Sequence, residues 1–559
     1  MKWKKLFWYI LTILLFMFLA YYAVQSIREI ITVYSSNLTI NEKIIGIMGN
    51  VFILIIELLS SFYSIFIYYY IGSSSTYKII KDENNRFLQQ NPLPFVVIAL
   101  PLYKEPLMVV SKTIDGALNL AYPKDRFQVV VCDDSPEGYS TDIEEYCREK
   151  GVKYIQRKSR KGFKAGALNN ALRQVKCDFF GILDADHIPT PNFIRSCLSG
   201  FTDDKTMLVQ GRPLFVNQDN FMQRSSAYIH TQFFHVYQKS RGTRGAAIFA
   251  GTTGIFRADL FRENGGFLED TLAEDTDTSF YMMSKGYKFQ YVNEVCSKGL
   301  VPWGPISMVN QIWRWTNGIT SILRKRLWKI LKGKNSLINK VDIFSSIFTP
   351  VIGITMWLVY ILLLVMFYLD KYVMNLPFAR PTPSNIPLLL LAPVLISFAS
   401  LIMAFISWIR EEKEDKMIRL RGLKGMVWTI SVFYVLILTA QSFLVWAVLS
   451  ALLGVKKDFD RTIKEKQKTI GTTNQKLKYT LWSIGLLTLA VVFCIASYHA
   501  IIVGNALYGW FIMAAFSGII PILIVVLYFR EIEIFKQFAS TKTALDVEKE
   551  YEEQLNDRS

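Results

Sequence analysis

Apolar positions in this chain fall into long unbroken runs at both ends and into short, periodic runs in the middle. Leu6 to Ile27 carries no charged side chain and follows a basic start with Lys2, Lys4 and Lys5. As a helix it is long enough for a bilayer whose hydrocarbon needs about 20 residues. Ile44 to Gly72 is a second such run, interrupted by one acid, Glu57. Apolar runs return at Ile343–Leu369, Ile386–Ile409, Gly425–Val455, Tyr479–Val503 and Ala506–Phe529. The run Gly425–Val455 has Arg410, Lys413, Lys416, Arg419, Arg421 and Lys424 before it and Lys456, Lys457, Arg461, Lys464, Lys466 and Lys468 after it. Positive charge collects on the cytoplasmic side, so both flanks belong there and the run lies in the interface or re-enters. Six spans remain, with both termini and the segment 73–342 inside.

The middle segment has a different rhythm. Phe95–Leu100, Phe127–Cys132, Val152–Gln156 and Phe179–Leu183 read as strands, separated by helical patterns such as Met108–Leu120 and Lys164–Val175. That alternation predicts a mostly parallel sheet with helices on both faces. The expected fold is a transmembrane helical bundle with an inserted cytosolic α/β domain of Rossmann-like build and amphipathic interface helices. Its parts are two spans in 1–72, the α/β domain in 73–300, interface helices in 301–340, two spans in 341–409, a cytosolic loop in 410–478, two spans in 479–529 and a polar tail in 530–559.

Composition agrees with a membrane chain. Of 559 residues, 51% are apolar and only 19% charged, with mean hydropathy +0.25, which excludes disorder, collagen and small disulfide scaffolds. Lys and Arg exceed Asp and Glu by 63 to 46, a net +17. No nucleic-acid-reading motif accompanies that charge, so membrane lipids account for it and nucleic acid is not an expected partner. The six cysteines, Cys132, Cys147, Cys177, Cys197, Cys296 and Cys494, form no CxxC pair and read as reduced thiols.

Ligands of open α/β sheets bind beyond the carboxyl ends of strands. After the first strand come Tyr103 and Glu105, and after the second Asp133 and Asp134. A ring and carboxylates there suit a nucleobase and ribose hydroxyls, though acids at such ends also cap helices. The fourth strand leads into Asp184-Ala185-Asp186-His187. Two carboxylates spaced by one residue suit a divalent metal bearing a diphosphate, with His187 as a ligand or its hydrogen-bonded neighbour. Thr271–Asp277 adds a second acidic cluster, and Gln311-Ile312-Trp313-Arg314-Trp315 opens a basic amphipathic stretch, Ile306–Lys334, expected to lie on the inner membrane surface.

Taken in order, Pro101-Leu102-Tyr103-Lys104-Glu105, Asp133-Asp134, Lys164-Ala165-Gly166-Ala167-Leu168-Asn169, Asp184–His187, Ala273-Glu274-Asp275 and Gln311–Trp315 resemble the motifs of membrane-integrated processive family 2 glycosyltransferases, the cellulose, chitin and hyaluronan synthase group. The resemblance implies a glycosyltransferase A-type domain. It implies that Tyr103, Glu105, Asp133 and Lys164 hold the nucleotide, with Gln311 and Arg314 near its diphosphate. It implies Mg²⁺ or Mn²⁺ on Asp184, Asp186 and His187, and Asp275, beside Glu274, as the catalytic base. Trp315 would stack under the acceptor sugar, and Phe249, Gly251 and Thr252 would border it. Phe459–Lys464 resembles the gating loop, with Thr462 and Lys464 on the nucleotide and Arg461 where valine is usual. Ala273 stands where threonine is usual.

The activity so implied is inverting, processive polymerisation of a nucleotide sugar, UDP-glucose being the leaning of the DADH motif. Its product is a β-linked polysaccharide, secreted through the chain's own channel at the plasma membrane. The alternative is transfer of a single sugar to a polyprenyl or other lipid acceptor. Accessory subunits and self-association are left open by the sequence.

Overall fold

The computed structural model describes residues 27–78, 85–218, 221–302, 305–352 and 444–455, with a few isolated positions beside them. The expected spans at 6–27, 343–369, 386–409, 479–503 and 506–529 lie wholly or largely outside these residues, as do most of 425–455, the loop 459–464 and the tail 530–559. The expected second span falls on helix α1 (Ile40–Ser74). Thr39 caps it, accepting the Glu42 amide while the Glu42 carboxylate accepts the Thr39 amide at 2.9 Å, which satisfies two otherwise orphaned donors. Among the described residues no helix is long and apolar enough to cross a membrane. Several side chains in the middle of α1 are not among those described.

The remaining elements build one α/β domain. In chain order its strands and longer helices begin with β1 (Val96–Leu102), α2 (Leu107–Leu118), β2 (Phe127–Asp133), α3 (Thr141–Glu149), β3 (Lys153–Gln156), α4 (Phe163–Gln174), β4 (Phe179–Ile182) and β5 (Ile188–Pro189). There follow β6 (Thr206–Phe215), α5 (Phe221–Gln232), β7 (Gly254–Arg257), α6 (Glu274–Ser284), β8 (Lys288–Gly299) and α7 (Pro305–Leu331). The eight strands form one sheet in the order β3-β2-β1-β4-β7-β6-β8-β5.

Strands β3, β2, β1 and β4 are parallel, as the βαβ rhythm requires. The sheet as a whole is mixed, because β7 pairs antiparallel with both β4 and β6. The mostly parallel expectation therefore holds for the β3-β2-β1-β4 half and for the β6–β8 pair, while β7 and the β5–β8 edge run antiparallel.

Every residue of β1 is buried, since helices cover both faces. Val96, Ile98 and Leu100 pack with Ile114, Ala117, Ile143 and Cys147 of α2 and α3. Val97 and Ala99 pack on the opposite face with Ala165, Leu168 and Ala171 of α4. The described cysteines are all free thiols, and burial pushes that of Cys132 up to about 12.

A buried ionic cluster joins this domain to α1. Asp342 accepts from Arg241 at 2.8 Å, from Arg244 at 2.6 Å and from the hydroxyl of Tyr70 in α1. Burial alone would raise the Asp342 carboxyl, but the two guanidinium groups hold it below the ordinary carboxylate range. Replacing Asp342 by Ala leaves Arg241 and Arg244 buried without their anion. The expected cost is about 3–5 kcal/mol, read as a lower midpoint in denaturant titration of the purified chain.

Candidate active site

The carboxyl ends of β1, β2 and β4 meet at one edge of the sheet. At the end of β1, Lys104 has φ 61° and its amide donates to the Ser135 hydroxyl at 2.8 Å, while the Tyr103 amide donates to the Glu105 carboxylate. The Arg160 guanidinium lies 3.4 Å from the centroid of the Tyr103 ring. At the end of β2, Asp133 is fully buried, with one oxygen accepting the Ser135 amide at 2.7 Å and the other the Tyr154 hydroxyl at 2.5 Å. Its neighbour Asp134 takes Arg157 in a two-point pair at 2.6 and 2.5 Å. Arg157 also donates to the carbonyls of Lys161 and Phe163 at 3.0 Å, which fixes the loop that enters α4. Sequence reading singled out neither Arg157 nor Arg160, because a basic loop carries no spacing signal.

Beyond β4, the ligand atoms of Asp184, Asp186 and His187 all lie within 4.8 Å of one another. His187 is 1% exposed, and neither ring nitrogen makes a hydrogen bond; Nδ1 lies 3.5 Å from the Asp186 carboxylate. A buried imidazole without a hydrogen-bond partner is costly unless something answers it. Two carboxylates and one imidazole fit a hard divalent cation such as Mg²⁺ or Mn²⁺, so the residues present suit the expected metal. The backbone of β8 comes so close that a Cβ on Gly299 would sit 2.3 Å from His187 Nε2.

Lys164, near the start of α4, reaches this edge. Its ammonium donates to Asp184 at 2.5 Å and to the Gly251 carbonyl at 2.7 Å. Burial opposes the charge, but Asp184, Glu274 and Asp275 together raise the Lys164 pKa. The loop 250–253 is shaped for these contacts, with Gly251 at φ 82° and Thr253 at φ 57°. A Cβ on Gly251 would stand 3.1 Å from an Asp275 oxygen, and the Thr252 hydroxyl accepts the Asp184 amide at 2.9 Å. Buried Gln210 of β6 holds the loop, accepting the Ala250 amide at 2.9 Å and donating to the Thr252 carbonyl at 2.9 Å. Its only mark in the sequence is an amide within an apolar strand. Phe249 is 1% exposed and packs on Phe256 and Phe267, so its ring belongs to the core and offers no face to an acceptor.

Glu274 and Asp275 occupy the first turn of α6, where the helix N-terminus favours negative charge. Even so, burial and the Asp275 charge push Glu274 up to about 7, and burial raises Asp275 as well. The Thr276 amide donates to Asp275 at 2.6 Å and orients it. Helix α7 brings Gln311, Arg314 and Trp315, whose charge Glu274 feels through Arg314. Arg326 of the same helix donates to Asp277 of α6 at 2.8 Å and to Asp270 at 2.5 Å, clasping the two helices. Thr462 and Lys464 lie outside the described residues.

Gly299→Ala is expected to displace His187 with the fold intact by circular dichroism. Mn²⁺ affinity measured by calorimetry should fall about 10–100-fold, as for other changes beside a metal ligand; unchanged affinity would separate His187 from the metal.

Residues 97–265 match the glycosyl transferase family 2 model. The chain is 34% identical over 271 residues to a probable glucomannan 4-beta-mannosyltransferase 7 of Oryza sativa subsp. japonica, covering 46% of each protein. It is 31% identical over 237 residues to the UDP-forming cellulose synthase catalytic subunit of Pseudomonas fluorescens, covering 41% of this chain and 32% of that protein. It is 33% identical over 285 residues to glucomannan 4-beta-mannosyltransferase 9 of Arabidopsis thaliana, covering 49% of this chain and 53% of that protein. The matches thus span about a third to a half of these relatives' own lengths. The cation triad, the paired carboxylates and the Gln311–Trp315 helix are arranged around that matched segment. This chain carries a family 2 glycosyltransferase domain, similar to those of cellulose and glucomannan synthases.

Proposed function

We propose that the chain is a processive, inverting polysaccharide synthase, polymerising a nucleotide-activated hexose into a β-linked glycan at the inner face of a membrane. The observation that carries this reading is the meeting of Asp184, Glu274 and Asp275 around Lys164, a metal-fitting acid beside a carboxylate pair of raised pKa.

A sugar hydroxyl is a poor nucleophile and reacts when a carboxylate takes its proton as the bond to the anomeric carbon forms. Asp275 serves as that base; its raised pKa makes it a stronger acceptor than an exposed aspartate. Tyr103 and Glu105 edge the nucleoside subsite, with Asp133 buried behind them, and Arg314, Gln311 and Lys164 answer the charge that grows on the leaving diphosphate. A bound divalent cation on Asp184, Asp186 and His187 supplies further charge neutralisation there. One displacement inverts the anomeric centre, so an α-linked donor gives a β-linked product. Trp315 offers the acceptor a stacking face. The apolar runs 6–27, 44–72 and those after 343 support a membrane setting, and the reading has the sheet domain on the cytosolic side of the plasma membrane, where the basic flanks collect. The relatives are named for mannose and for glucose polymers, so GDP-mannose stands beside UDP-glucose as a donor.

The test uses full-length protein in lipid nanodiscs with Mn²⁺ and, in turn, UDP-glucose, GDP-mannose and UDP-N-acetylglucosamine, following nucleotide release and polymer length. Release and long polymer are expected with one hexose donor, and Asp275→Asn should lower kcat by about 10²–10⁴-fold. Release without polymer that is restored by a polyprenyl phosphate would replace this reading with single transfer to lipid.

A second expectation concerns pH. A base whose pKa is raised must lose its proton to act, so kcat/KM should fall as pH drops through the raised range of the Glu274–Asp275 pair. Because like charges raise each other's pKa, Glu274→Gln should move the acid limb of the profile to lower pH. An acid limb that stays in place would detach the carboxylate pair from the rate.

A further inference from the structure

Four rings make successive contacts from His187 of the cation triad to Trp315 on the helix that carries Gln311. His187 meets Phe215 edge to face, with centroids 5.7 Å apart at 89°. Phe215 lies over His230 at 4.2 Å and 27°. His230 then meets Trp315 edge to face at 5.7 Å and 89°. Offset stacking and edge contacts are the arrangements that ring quadrupoles favour. Phe215 ends β6, which is paired with β7 on one side and β8 on the other, so the middle of the ladder is anchored in the sheet. His230 comes from α5 and Trp315 from α7. Rings from β6, α5 and α7 therefore converge here. Trp315 is only half-buried, and a half-buried indole with two free torsions keeps one plane only when a neighbour blocks the others.

We propose that His230 is a positioning residue. It holds the indole of Trp315 in the plane that receives a glycan acceptor, and Phe215 ties that plane to the Asp184–Asp186–His187 cluster on the donor side. The inference rests on the reading of Trp315 as the acceptor-side ring. Processive transfer needs the terminal hydroxyl held within reach of Asp275 while the glycan advances, and a tilted indole carries that hydroxyl away from the base. The proposed donor subsite does not include Trp315, so the two steps are separable by measurement.

The experiment uses the full chain in nanodiscs with Mn²⁺, the donor turned over in the panel above, and cellohexaose or mannohexaose as acceptor probe. It records acceptor KM, kcat and the slow release of nucleotide to water without acceptor. His230→Ala should raise acceptor KM about tenfold and leave acceptor-independent release within about twofold. His230→Phe, which keeps a ring against Phe215 and Trp315, should return KM most of the way. An unchanged acceptor KM in His230→Ala overturns the proposal, as does an equal loss of both activities or a His230→Phe no better than Ala. Trp315→Ala, run in parallel, separates the two levels. If it too leaves acceptor KM unchanged, the acceptor reading of Trp315 fails and the proposal with it. If it raises KM where His230→Ala does not, only the proposal fails.

Discussion

The ammonium of Lys164 is the charge on which the reacting edge of the sheet depends. Asp184 follows β4 while Glu274 and Asp275 open α6, and three half-buried carboxylates brought this close do not all ionise together without a compensating cation. Lys164 gives its protons to Asp184 and to the Gly251 carbonyl, and its charge reaches both acids of α6. It can do so because α4 begins at this edge, and Arg157 with Asp134 fixes the loop leading into it. Conversely, the loop 250–253 approaches Asp275 closely only because Gly251 has no side chain.

Around that charge the domain is tied by side chains that have no part in the reaction itself. Gln210 secures the loop, Ser279 bridges the Asp275 carbonyl and the Phe249 amide at 2.6 and 3.0 Å, and Arg326 locks α7 onto α6. Burial pushes Asp277, the partner of Arg326, up to about 6 even beside that cation. This clasp sets where Gln311, Arg314 and Trp315 stand relative to Glu274 and Asp275. The Asp342 cluster does the same at the other end of the domain, joining α1 to the sheet through Tyr70 and Arg241.

Much of the domain was legible from the chain. β1, β2 and β4 are central strands covered on both faces, so they read as unbroken apolar runs, and α2 and α4 carry the helical period between them. The strands from β5 onward were not. Ile188–Pro189 is too short to show a period, and β6 is buried throughout yet carries Gln210 and Arg212, which breaks its apolar signal. Their pairing is also non-local: Phe289 of β8 stands beside Leu208 of β6, some 80 residues earlier, and no local pattern encodes that distance.

The candidate site divides in the same way. Asp184 and Asp186 after a strand end, Glu274 and Asp275 at a helix start and Trp315 within α7 belong to short motifs that stand out in the sequence before any fold is known. The sequence could not say that Asp133 spends both oxygens on Ser135 and Tyr154, or that Phe249 turns into the core. Nor could it find Gln210, Arg326, Phe215 and His230, whose roles lie wholly in what they touch. Local sequence carries backbone preference and chemical type. Which buried charge meets which partner, and which ring lies against which, is settled by packing between segments far apart along the chain.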